Sequence, residues 1–233
     1  MLFGWFYYDW TVLIVLPALV LSIWAQMNVS STFEKCSRIN TKRGITGADA
    51  ARRVLDANGL QSVAIERVAG NLTDHYDPRE NVIRLSDSVY ASSSAAAIGV
   101  ACHEAGHAVQ YAKNYFPIKI RSTIIPVTKF GSMMAIPLFI IGLLFASDAL
   151  LLAGIALYAT VALFQLVTLP VEFNASDRAM AAIRGSGMLD SREAAASERV
   201  LRAAALTYVA ALATSLLTLL RLVVLAGGRS RRN

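Results

Sequence analysis

Charge is scarce in this chain, and so are histidine and cysteine. Only 16% of its 233 residues are Asp, Glu, Lys or Arg, against 55% hydrophobic, which excludes an ordinary soluble domain. The balance is basic, at +6. Yet no cluster of Lys and Arg interleaved with aromatics occurs, so no nucleic-acid partner is expected. The basic residues sit near apolar segments instead, and a membrane surface is the acidic partner that fits. Cysteine is confined to Cys36 and Cys102. Cys102 reads as a small buried residue rather than half of a disulfide, and two unpaired thiols suit a reducing compartment.

What the chain has in abundance is long apolar runs. Trp10 to Met27 carries no charge, enough for one pass of a bilayer, which takes about 20 residues. No Lys or Arg precedes it, and no small-x-small site closes it, so a permanent anchor is expected rather than a cleaved signal peptide. Trp5, Tyr7, Tyr8, Trp10 and Trp24 are its interfacial aromatics. From Phe130 to Val171 the only charge is Asp148; that length is read as two membrane helices turning at Ala146-Ser147-Asp148. Pro117, Pro126 and Pro137 predict an irregular approach to this hairpin. A fourth membrane helix starts polar behind Asp190-Ser191 and is apolar from Ala203 to Leu220, ending at Arg221 or running on to Gly227-Gly228. The tail is Arg229-Ser230-Arg231-Arg232-Asn233.

The polar region between the first two spans predicts a helix over 47–58, opened by Thr46-Gly47-Ala48-Asp49 and stopped by Asn58-Gly59. Two paired strands are expected at 62–68 and 81–85. Between them, Thr73-Asp74-His75-Tyr76-Asp77-Pro78 reads as a turn, either plain or bordering a cleft in which His75 or Tyr76 stabilises an oxyanion. Ser92-Ser93-Ser94 caps a helix over 95–112. One face of that helix is apolar (Ile98, Cys102, Ala105, Val109, Ala112), and another carries Ala96, Gly99, His103, His107 and Gln110.

Two of the chain's three histidines fall in His103-Glu104-Ala105-Gly106-His107. Residues four apart share a helix face, so both imidazoles can hold one metal ion, with Glu104 beside them as general base. A catalytic zinc site needs a third protein ligand. His75 is one candidate. A carboxylate is the better one, and Glu172 is best placed, about 65 residues on and directly after a membrane helix, where an unpaired acid is costly; an exposed interfacial acid is the competing reading. Asp177 is a candidate for orienting a ligand imidazole.

The segments His103-Glu104-Ala105-Gly106-His107-Ala108-Val109-Gln110, Thr73-Asp74-His75-Tyr76-Asp77-Pro78 and Leu169-Pro170-Val171-Glu172-Phe173-Asn174-Ala175-Ser176 resemble the YugP-type neutral zinc metallopeptidases of bacterial membranes. The resemblance covers nearly the whole chain. It implies a membrane-embedded zinc peptidase with one Zn²⁺ per chain, His103, His107 and Glu172 as a gluzincin-like ligand set, and Glu104 as base. The related HtpX and prenyl-peptide peptidases carry Glu-x-x-Ala-Asp after a membrane helix. Here Glu172 and Ala175 fit, Ser176 takes the acid's place, and Asp177 comes one step late.

The expected fold is thus an α-helical integral membrane protein of about four transmembrane helices carrying a small α+β zincin-like domain. Its parts are an anchor (1–28), a zincin-like region (29–129), a transmembrane hairpin (130–171), and a third-ligand segment with the last membrane helix (172–233). The expected function is hydrolysis of peptide bonds in membrane-near or misfolded protein substrates at a bacterial inner membrane. Lys35, Arg38, Lys42, Arg43, Lys119, Arg121 and Lys129 put the zinc domain in the cytoplasm. The alternatives are a non-catalytic membrane scaffold whose zinc is structural, with His75 as a fourth ligand, and a metal transporter; the spans, with no paired charges beyond Asp148, argue against transport.

Overall fold

The structure is a computed structural model that describes residues 9–230. Trp5, Tyr7 and Tyr8, and Arg231, Arg232 and Asn233 of the tail, lie outside the described residues. In chain order the elements are α1 (Val12–Ser37), α2 (Gly47–Ala57), β1 (Ala64–Val68), β2 (His75–Asp77), β3 (Val82–Ser86), α3 (Ala95–Ala112), α4 (Phe116–Leu144), α5 (Asp148–Ser186) and α6 (Ser191–Ser230). Among the described residues, α1, α4, α5 and α6 are long and apolar enough to cross a membrane. The chain divides into two compact units.

One unit takes the described residues of Met1–Ala25, Ile120–Leu169 and Thr207–Asn233. The α4–α5 turn falls at Ala146, whose φ of +58° reverses the chain. The two helices pack closely through small residues: a Cβ at Gly154 would lie 2.9 Å from Ala135 O, and one at Gly131 2.8 Å from Leu157 O. Close backbone approach of this kind is how helices associate where lipid removes the hydrophobic drive. Arg221 donates to Asp9 Oδ2 at 2.6 Å and to Thr11 Oγ1 at 3.1 Å, so the cation within α6's apolar stretch is paired.

The other unit, Gln26–Lys119 with Pro170–Leu206, is α+β. Thr46 and Asp49 close a capping box at the start of α2. The sheet order is β1-β3-β2, with β1 parallel and β2 antiparallel to β3. Central β3 buries Val82, Ile83 and Leu85, and Ile83 and Leu85 join Leu55, Ile98, Ile183, Met188 and Val200 in one core. Each fully buried aliphatic side chain of this size contributes about 1.5–3 kcal/mol.

Four sequence expectations change. The expected strands do pair, but the intervening turn is itself a strand, because Tyr76 and Asp77 find backbone partners in Ile83 and Val82. The approach to the hairpin is not irregular: α4 runs unbroken from Phe116, with Pro117 in the first turn, where no intrahelical donor is missed, and Pro126 and Pro137 inside the helix. α5 does not end near Val171. It continues past Pro170 to Ser186, since Ala175, Ala179 and Ile183 on its far half are fully buried against the core. Nor is α3 apolar on one side only: Ala95 to Ile98, Cys102, Ala105 and Gln110 are all fully buried.

Candidate metal centre

Ser94 caps α3 by accepting the Ala97 amide through its hydroxyl, and the alanine-rich run behind it sustains the helix. Helical spacing then stacks His103 and His107 one turn apart, with ring centroids 4.7 Å apart and planes at 84°. The third component comes from α5. A Cβ on Gly106 would lie 2.7 Å from Ala175 O, so only glycine permits the approach of α5 between the two imidazole positions. Glu172 lies one turn before Ala175 on α5 and faces the imidazoles.

Glu172 Oε2 lies 3.3 Å from His103 Nε2 and 3.5 Å from His107 Nε2. A tetrahedral ion about 2.0–2.1 Å from its donors holds them about 3.3–3.4 Å apart, close to both Glu172–imidazole distances, and all three donor atoms lie within 4.8 Å of one another. They are the only group of three or more His, Cys, Asp or Glu of that compactness among the described residues. The Glu172 side chain is 3% exposed, while His103 and His107 keep 13% and 12%, which leaves a narrow approach from the imidazole side.

Charge in this unit is arranged around the pair. Burial disfavours the His107 imidazolium, but the Glu172 bond and the charges of Glu104 and Glu172 outweigh it and raise the imidazole above the usual histidine value. Glu104, next to His103, is itself buried. Cys102 is wholly buried and its thiol is pushed up to about 12, so it stays protonated and supplies no thiolate ligand.

The outer nitrogens of both imidazoles are also held. His103 Nδ1 is 3.1 Å from Ser176 Oγ, and His107 Nδ1 is 3.0 Å from Gln110 Oε1. Ser176 and not Asp177 makes this contact with His103; Asp177 is exposed, because one further step along α5 turns it about 100° away. Sequence reasoning missed Gln110 in this role, although it had placed Gln110 on the ligand face of the helix.

His75 does not join the ligand group: it is exposed on β2, with Nδ1 2.9 Å from Thr73 O. Tyr76 is half-buried, donates to Asn81 Oδ1 at 3.0 Å and packs on Tyr111, one turn past His107, at 5.7 Å between ring centroids. The acidic neighbour of the site is Asp74. Its carboxylate accepts from the Ser86 amide at 2.7 Å and the Ser86 hydroxyl at 2.9 Å. Burial raises it above its ordinary range despite those bonds, with the Glu104 charge adding to the rise. A lone Asp inside a turn-like stretch gave no signal for this.

Residues 11–227 match the family model described as "Putative neutral zinc metallopeptidase". The chain is 49% identical over 214 residues to "Putative membrane protease YugP" of Bacillus subtilis (strain 168), an alignment covering 92% of this chain and 95% of that protein. No solved structure matches.

Proposed function

The chain belongs to the neutral zinc metallopeptidase family whose model it matches from residue 11 to 227, and from that premise we propose that it is a membrane-embedded, zincin-like endopeptidase. It holds one Zn²⁺ on His103, His107 and Glu172 and cleaves peptide bonds in membrane-near or misfolded proteins. The observation that carries this reading is the convergence of three donors within 4.8 Å of one another, with Glu104 next to His103 in sequence.

Zinc bound there supplies a Lewis acid that polarises the scissile carbonyl and makes water acidic enough to ionise near neutrality. Glu104 takes the proton of the attacking water and returns it to the leaving amine. Its burial keeps competing bulk water away from that transfer. β2, with His75 and Tyr76, is the proposed source of an oxyanion donor, supported by the packing of Tyr76 on Tyr111. The zinc unit faces the cytoplasm of a bacterial inner membrane in this proposal, in line with the Lys and Arg beside the spans. The near-membrane choice of substrate is supported by chain continuity: Glu172 sits on the same helix as a candidate span, three residues past Leu169.

A structural zinc site closed by four protein ligands is the competing reading, and the exposed position of His75 outside the ligand group disfavours it. The test is zinc content and peptide hydrolysis of detergent-purified protein. Wild type is expected to carry one zinc and cleave; Glu104→Gln is expected to keep the zinc and lose about 10²- to 10⁴-fold in kcat. A Glu104→Gln protein that cleaves like wild type refutes the catalytic reading.

A further inference from the structure

Gln110 is fully buried and has three polar contacts, each of a fixed kind. Its Nε2 donates to Val171 O at 2.7 Å and to Asn174 Oδ1 at 3.1 Å, and its Oε1 lies 3.0 Å from His107 Nδ1. A backbone carbonyl only accepts, so the side of the amide facing Val171 has to be the NH₂. Asn174 Oδ1 is pinned as an acceptor from its other side, because Arg178 Nε donates to it at 2.7 Å and an arginine has nothing but donors. With both amide hydrogens committed, Oε1 is left facing His107. A carbonyl oxygen in that place calls for a proton on Nδ1, which leaves the Nε2 lone pair of the neutral imidazole directed at the point shared with Glu172.

The same amide ties the two halves of the site together. Val171 and Asn174 flank Glu172 on α5, while His107 and Gln110 are three residues apart on α3. A shift of α5 relative to α3 would therefore break the Gln110 contacts and move the third ligand together.

We propose that Gln110 is a positioning residue of the metal centre: it fixes His107 as the Nδ1–H tautomer and registers the Glu172 segment against α3. The role rests on the metal-centre reading above, but part of its test does not need metal. Outer-sphere partners of a ligating histidine typically tune metal affinity by 10- to 100-fold.

The tautomer spectra use the full-length protein in detergent, labelled with ¹⁵N-histidine, stripped of metal and carrying Glu172→Ala. Without metal, the carboxylate 3.5 Å from His107 Nε2 would compete for the ring proton. Zinc binding is compared with Glu172 in place. With three histidines in the chain, two-bond ¹H–¹⁵N spectra at alkaline pH, where the imidazoles are neutral, give each tautomer separately. With Gln110 in place and the competing carboxylate removed, His107 is expected as Nδ1–H. Gln110→Leu removes the acceptor and is expected to give mixed tautomers at His107, leave His103 unchanged, and weaken zinc binding by about 10- to 100-fold in chelator competition. Gln110→Glu keeps an acceptor for Nδ1–H but gives up both donors to α5, and is expected to retain the tautomer while binding zinc more weakly than wild type. The proposal is overturned if Gln110→Leu keeps a pure Nδ1–H His107 and binds zinc within twofold of wild type. It is equally overturned if Gln110→Glu loses the tautomer, and that variant decides alone should Gln110→Leu fail to fold. A wild type that binds no zinc refutes the metal centre instead, and the tautomer spectra still judge Gln110.

Discussion

Glu172 Oε2 stands 3.3 Å from His103 Nε2 although 69 residues separate the two in sequence. That distance is within hydrogen-bond reach and also matches two ligands on one tetrahedral zinc, and either partner compensates the buried carboxylate. Glu172→Ala is expected to drop zinc from one per chain to nearly none after dialysis, a loss exceeding the ~100-fold upper end for outer-sphere changes. Elemental analysis of the dialysed variant checks it; retention of stoichiometric zinc would put the third ligand elsewhere.

Ser176 and Asp177 are adjacent on α5, yet their substitution should differ in effect. The Ser176 hydroxyl is 3.1 Å from His103 Nδ1, whereas Asp177 is exposed. Ser176→Ala is expected to weaken zinc about 10-fold or more, and Asp177→Ala to leave the affinity within about twofold. Chelator competition on the pair decides. The reversed ranking would restore the orienting role to the acid.

Much of α3, including the placing of His103 and His107 one turn apart, was legible because local signals agree there: serines to cap the helix, small residues to sustain it, and two histidines at the helical period. The turn at Ala146-Ser147-Asp148 was legible because a single charge interrupts a run twice the width of a bilayer. What escaped depends on partners distant in sequence. β2 has three residues and no apolar alternation, and exists through its pairing with β3. The far half of α5 looks like surface after Val171 and stays helical because Ala175 and Ala179 are buried. Ser176 was masked by the expectation of an acid, and Gln110 acquires meaning only from Val171 and Asn174 on another helix.

Asp74 gives a pH dependence whose sign follows from burial. Its carboxyl titrates above the ordinary aspartate range because burial outweighs the two Ser86 bonds. The folded protein therefore holds this proton to higher pH than the unfolded chain does. The stability linked to it is fully present below the ordinary aspartate value and is lost as pH rises through the elevated one. Asp74→Asn removes the titration and keeps an acceptor for the Ser86 amide. The difference in melting temperature between variant and wild type, both metal-free, should move in the variant's favour from pH 4 to pH 7. A difference independent of pH would show that Asp74 titrates as an ordinary carboxylate.

Gly106 offers a test that touches no ligand and no titratable group. The added Cβ of Gly106→Ala would lie 2.7 Å from Ala175 O, and a backbone carbonyl on a packed helix cannot swing aside as a side-chain tip does. α3 and α5 must separate by several tenths of an ångström, an overpacking strain of about 1–3 kcal/mol. The separation carries Glu172 away from the two imidazoles, so zinc affinity should fall with stability, whereas alanine's better helix propensity, worth up to about 1 kcal/mol, acts the opposite way. Gly185→Ala is the control: it lies near the end of the same α5 with nothing within 4 Å of the new Cβ, and should leave zinc binding unchanged. Thermal unfolding and chelator competition on both variants check the pair. Equal zinc affinity in Gly106→Ala and wild type would mean that the approach of α5 at Gly106 does not set the position of Glu172.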